Sequence, residues 1–130
     1  MYLLDTNTVS DLFRNRGRVG ERLRTVPPKE IAVSVITLFE LRVGIIKAGG
    51  PQDRFHRVQR FMTMVNRLDF GDRDAMAAAT LRVDLERAGK PIGPLDTLLA
   101  GTALAHGATF VTRNVREFAR IKGLKVENWY

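Results

Sequence analysis

The sequence predicts an α/β fold, a short and mostly parallel sheet covered by helices on both faces. Two observations carry this. Short apolar runs rich in β-branched residues alternate with stretches of helical periodicity along the 130 residues. The clearest of the runs, Ile31-Ala-Val-Ser-Val-Ile36, is apolar throughout rather than alternating, as a strand buried on both sides must be. Crossovers between such parallel strands are right-handed. With 45% hydrophobic residues and no linker or repeat, the chain reads as one domain over residues 1–130.

Each element has its own signal. Tyr2–Leu4 is a first strand, and Asp5-Thr-Asn-Thr8 supplies N-cap chemistry for a helix carrying Val9, Leu12 and Phe13 at helical spacing. Val19, Leu23 and Val26 mark a second short helix, closed by Pro27-Pro28. Ile31–Ile36 is the second strand, followed by a helix over Thr37–Lys47 that Gly49-Gly50-Pro51 stops. Gln52–Val65 is amphipathic, with Phe55, Val58, Phe61, Met62 and Val65 as a core stripe and Arg54, Arg57 and Arg60 off it. A short strand at Arg67–Phe70 precedes a long helix over Arg73–Ala88, ended by Gly89-Lys90-Pro91. Then come a helix over Thr97–His106, a strand at Thr109–Thr112, one helical turn at Glu117–Arg120 and a last strand at Leu124–Val126, with Trp129 as a packing anchor.

Composition bounds function. There are no cysteines, which excludes disulfides, zinc–thiolate sites and iron–sulfur clusters and fits a reducing cytoplasm. The N-terminal apolar run breaks at Asp5, so no secretory leader is expected, and no stretch approaches the roughly 20 apolar residues of a membrane span. Lys and Arg number 21 against 14 Asp and Glu, leaving a net charge of +7. Arg dominates that excess, and its planar fork suits phosphate, so nucleic acid is the expected partner.

The chemistry resides in acids. Asp5, Glu40 and Asp96 stand where helices begin. Singly, each has a structural explanation: Asp5 as an N-cap, Thr37 and Glu40 as a capping box, Asp96 as a charge favoured by the helix dipole. Jointly, acids at such junctions converge on the crevice at the carboxyl ends of a parallel sheet. Clustered carboxylates repel one another, and oxygen ligands of this kind suit magnesium or manganese. Such an ion has an obvious use on a phosphodiester, and there is no Ser-His-Asp or Cys-His set to compete. Thr112 and Asn114, after the fourth strand, can orient water or phosphate, and Arg113 and Arg116 beside them are candidates for substrate phosphate.

Leu4-Asp5-Thr6-Asn7, Ser34-x-x-Thr37-x-x-Glu40, Ile92-Gly93-Pro94-x-Asp96, Thr112-Arg113-Asn114-x-Arg116-Glu117-Phe118 and Gly123–Trp129 stand in order along the chain. Together they resemble the PIN-domain toxins of the VapC type, over the whole length. The resemblance implies a three-layer α/β/α sandwich of PIN type and a magnesium- or manganese-dependent ribonuclease. It also implies a cytoplasmic toxin of a type II toxin–antitoxin pair, neutralised by a VapB-type antitoxin and forming a homodimer. Asp5, Glu40 and Asp96 match the family's metal-binding acids. Asn114 falls where many PIN domains carry a fourth acid, and Leu95 replaces a residue that is often polar. If part of the Phe55–Val65 stripe is exposed, it offers a groove for an antitoxin helix.

Rival readings remain at this point. A haloacid-dehalogenase-type phosphotransferase also begins with a strand and Asp, but wants an acid at Asn7. A non-enzymatic nucleic-acid-binding module would need the charge and not the acids. A PIN domain acting on DNA, or one that is not a toxin, differs in substrate and setting alone.

Overall fold

The computed structural model describes residues 1–130. Five strands form one wholly parallel sheet: β1 (Tyr2–Leu4), β2 (Ile31–Ser34), β3 (Asn66–Leu68), β4 (Thr109–Val111) and β5 (Lys125–Glu127), in the order β3-β2-β1-β4-β5. Seven α-helices connect them: α1 (Thr6–Phe13), α2 (Val19–Leu23), α3 (Val35–Lys47), α4 (Gln52–Met64), α5 (Asp72–Arg87), α6 (Pro94–His106) and α7 (Val115–Phe118). A 3₁₀ turn at Pro28–Glu30 leads into β2. None of the helices is long and apolar enough to cross a membrane.

The sheet's register explains its uninterrupted apolar strands. Leu4 pairs with Val33 and Val111, while Leu3 pairs with Ala32 and Phe110. Successive side chains point to opposite faces. The Leu4 row packs with Val9, Leu38, Leu41, Ile45, Val58, Phe61 and Trp129, from α1, α3, α4 and the C-terminal segment. The Leu3 row packs with Leu81, Leu85, Leu99, Ala103 and Phe118, from α5, α6 and α7. Two cores, one on each side of the sheet, make three layers. On the second side α5 and α6 touch backbone to backbone, because Gly101 sits where an added Cβ would lie 2.6 Å from the Cβ of Ala78.

Several boundaries differ from the sequence reading. β2 stops at Ser34, whose hydroxyl accepts the Ile36 N–H at 3.0 Å and caps α3 two residues earlier than expected. Val35 and Ile36 are therefore helical despite their β-branching, because the cap and the burial of this helix outweigh their small intrinsic preference. α6 starts at Pro94 rather than Thr97, with proline at its first position, and α7 starts at Val115 rather than Glu117.

The strand order places the site. The chain leaves β1 for β2 and β3 on one side, then crosses to β4 and β5 on the other. The direction of winding reverses between β1 and β4, and ligands bind at the carboxyl ends of strands at such a switch point. Asp5 follows β1 there and Thr112 follows β4.

Candidate metal centre

Asp5 forms the floor of this crevice. Its N–H donates to the Val111 carbonyl at 3.0 Å, which extends the β1–β4 ladder by one residue. Its Oδ1 accepts the Thr8 N–H at 2.8 Å, capping α1. The side chain is almost wholly buried, and burial pushes its pKa above the ordinary carboxylate value. Hydrogen bonds from Thr8 and Thr112 pull the other way, and the nearby Asp11 carboxylate adds to the rise. The residue that caps α1 is thus also the buried carboxylate at the switch point.

Glu40 belongs to the second turn of α3, so the capping box expected between Thr37 and Glu40 does not form: Ser34 caps this helix instead. The freed carboxylate crosses to α1, where Thr6 Oγ1 donates to Oε1 at 2.6 Å. The buried Thr37 hydroxyl lies 3.2 Å from Thr6 Oγ1 and completes the chain of contacts. Asp96 lies in the first turn of α6. No strand precedes it, so it stands at a helix-to-helix junction rather than at a strand end. It nevertheless feels the others. Its pKa is raised to about 6, first by burial and then by the charges of Glu117, Asp5 and Glu40.

Glu117 is a neighbouring acid that sequence reading did not single out. It sits on the one-turn α7, and its charge acts on Asp96 ahead of those of Asp5 and Glu40. The side-chain amide of Asn114 donates to its carboxylate. The negative charge absent at Asn114 is therefore present three residues later, held by Asn114 itself. The available signal was the acid one helical turn beyond Asn114. Thr112 is buried beneath, its Oγ1 accepting the Asn114 N–H at 3.1 Å.

Of the two arginines read as phosphate contacts, Arg113 is already engaged. Its guanidinium lies 3.5 Å from Oδ2 of the buried Asp11 and 3.6 Å from the centre of the Tyr130 ring. Arg116 is exposed and forms no ion pair. The histidines stay apart from the site: His56 is exposed, and His106 ends α6 with Nε2 3.4 Å from Asp74.

None of Asp5, Glu40, Asp96 and Glu117 has a cationic side chain as partner. They do not close into a ready-made cage, since no group of three acids or histidines stands in metal-holding array. The donor set still has a definite chemistry. It is all oxygen and mutually repelling, and one member keeps its proton until about pH 6 because of burial and the neighbouring acids. A hard divalent cation fits these residues.

Known proteins carry the same architecture. A family model described as PIN domain matches residues 2–124. The tRNA(fMet)-specific endonuclease VapC of Salmonella typhimurium is 34% identical, over 98% of this chain and 97% of that protein. Ribonuclease VapC2 of Rickettsia felis is also 34% identical, over 99% and 98%. Among solved structures, VapBC2 from Rickettsia felis bound to a DNA fragment from its promoter superposes with a TM-score of 0.92 at 32% identity, covering 99% of this chain and 98% of that one. DNA-bound VapBC from Salmonella typhimurium gives 0.90 at 33% identity, over 99% and 98%.

Proposed function

The chain belongs to the PIN-domain family and is a ribonuclease of the VapC kind, the toxin of a toxin–antitoxin pair, and from that premise we propose how its residues work. Asp5 and Asp96 would hold a magnesium or manganese ion, with Glu40 and Glu117 as further oxygen donors. The observation that carries this is the set of four carboxylates without a cationic partner, one of them with its pKa raised to about 6 by burial and then by the others. A bound ion supplies Lewis-acid polarisation of a phosphoryl oxygen and a more acidic water.

The chain's own residues do the positioning. Asp5 is fixed by the backbone of α1 and β4, so its carboxylate cannot swing away. Thr6 holds Glu40, and Asn114 holds Glu117. Thr112 supports the turn between them by accepting the Asn114 N–H. Below about pH 6, where Asp96 keeps its proton, protons would compete with a cation for this site. Arg116, free and exposed on the rim, contacts substrate phosphate, while Arg113 anchors its loop to Asp11.

The substrate is RNA, and a VapB-type antitoxin is the partner, as in the VapBC complexes that share this fold. A homodimer is supported by the outer face of α3, where Phe39 is 55% and Ile46 is 65% exposed at a spacing of two helical turns. The absence of cysteine fits action in the cytoplasm.

The test is RNA cleavage by purified, antitoxin-free protein with magnesium, with manganese and with chelator, beside Asp5→Asn. Cleavage that needs the metal and is lost in the variant is expected. Cleavage that persists in chelator, or in the folded variant, would refute the assignment.

A further inference from the structure

Beside the acids, a cleft of about 410 Å³ opens between α1, α3 and α4. Glu40 and Thr6 stand at its wall, Val58 and Ile45 form part of its floor, and Arg14, Arg54 and Arg57 line it. All three arginines are exposed, and Glu40 is the only acid among the lining residues. Arg57 stacks 5.0 Å from the centre of the Phe13 ring, which fixes its direction. Arg14 and Arg54 make neither an ion pair nor a ring contact.

We propose that this cleft is a phosphate subsite that binds the backbone of the RNA strand on one side of the scissile bond. The inference rests on the ribonuclease reading above and adds where the substrate lies. Three exposed guanidiniums line one cleft without a carboxylate partner, and a polyanion is the ligand that such a set suits. Glycine at 44 points the same way. It stands inside the 13-residue α3, where glycine costs about 1 kcal/mol relative to alanine. A Cβ there would meet nothing within 4 Å, so packing does not demand glycine, and its absent side chain leaves the cleft wall open to close approach by a ligand. Arg113 is taken by Asp11 and Tyr130, whereas Arg14 and Arg54 are free to meet phosphate.

The experiment measures binding of a short single-stranded RNA to the full chain in chelator, across a salt series, together with kcat and KM in magnesium. The variants are Arg14→Ala/Arg54→Ala, which removes two charges with no structural partner, and Gly44→Leu, which fills the cleft without changing charge. For the double variant, the log–log salt slope should fall by about 1.4, at about 0.7 per phosphate contact. KM should rise at least fivefold with kcat within twofold. Gly44→Leu should likewise raise KM and weaken binding. Wild-type affinity, slope and KM in both variants would overturn the proposal. Unchanged RNA binding with lost neutralisation by the antitoxin would overturn it too, giving the cleft to the protein partner. Wild-type protein that neither binds nor cleaves RNA would instead bring down the ribonuclease reading, and this inference with it.

Discussion

Replacing Asp96 by Asn should make the metal-free protein more stable, an unusual outcome for a site residue that follows from the electrostatics. Burial and the charges of Glu117, Asp5 and Glu40 raise the Asp96 pKa from 3.8 to about 6 in the folded chain. The folded state therefore holds this proton more tightly than the unfolded state. The stability that this gives is present below pH 3.8 and is lost as pH rises through about 6. At neutral pH the folded chain carries the full cost of ionising Asp96. The raised value corresponds to about 3 kcal/mol at ~1.36 kcal/mol for each pKa unit. The side chain is only half-buried, and solvent screening reduces this to on the order of 1 kcal/mol. For a domain of this size that is about 3–5 °C in Tm. Thermal unfolding of wild type and Asp96→Asn, in chelator between about pH 4 and pH 8, reads the effect. The variant should melt higher near neutrality, and the gap should close towards pH 4. Saturating manganese should reverse the order, since a ligand at a hundred times its Kd stabilises wild type by about 2.7 kcal/mol. A variant that melts lower at neutral pH in chelator, or responds to manganese as wild type does, would refute this reasoning.

Three other outcomes are expected. Glu117→Gln should fold and bind RNA as wild type does but weaken manganese binding at least tenfold, read by electron paramagnetic resonance titration; unchanged affinity would remove Glu117 from the site. Arg113→Ala leaves the buried Asp11 carboxylate without its cation and should cost about 1–3 kcal/mol, less than a fully buried pair because Arg113 is half-exposed. Chemical denaturation checks this, and an unchanged midpoint would show that the pair does no structural work. Gly101→Ala drives a methyl into Ala78 of α5 and should destabilise by about 1–3 kcal/mol with manganese affinity unchanged in the folded fraction.

The fold was largely legible because its signals are local. A strand buried on both faces must be apolar at every position, and Ile31–Val33 and Thr109–Val111 are nearly so. What escaped was settled by competition between neighbours. Val35 and Ile36 favour a strand by themselves, yet Ser34 caps a helix at just that point. The candidate site was legible where an acid abuts a strand end, as Asp5 does. Glu117 was hidden because an acid in a single helical turn looks like ordinary dipole compensation. The engagement of Arg113 was beyond sequence reading, since Asp11 is about a hundred residues away along the chain and only the pairing of β4 with β1 brings the end of β4 beside α1.

Diffraction at the manganese absorption edge, from crystals of the antitoxin-free protein soaked in manganese, tests the central claim most directly. One strong anomalous peak should lie between the carboxylates of Asp5 and Asp96, within reach of Glu40 or Glu117, and should vanish in Asp5→Asn. A well-diffracting soaked crystal with no peak among these four side chains, or with its peak elsewhere, would contradict it.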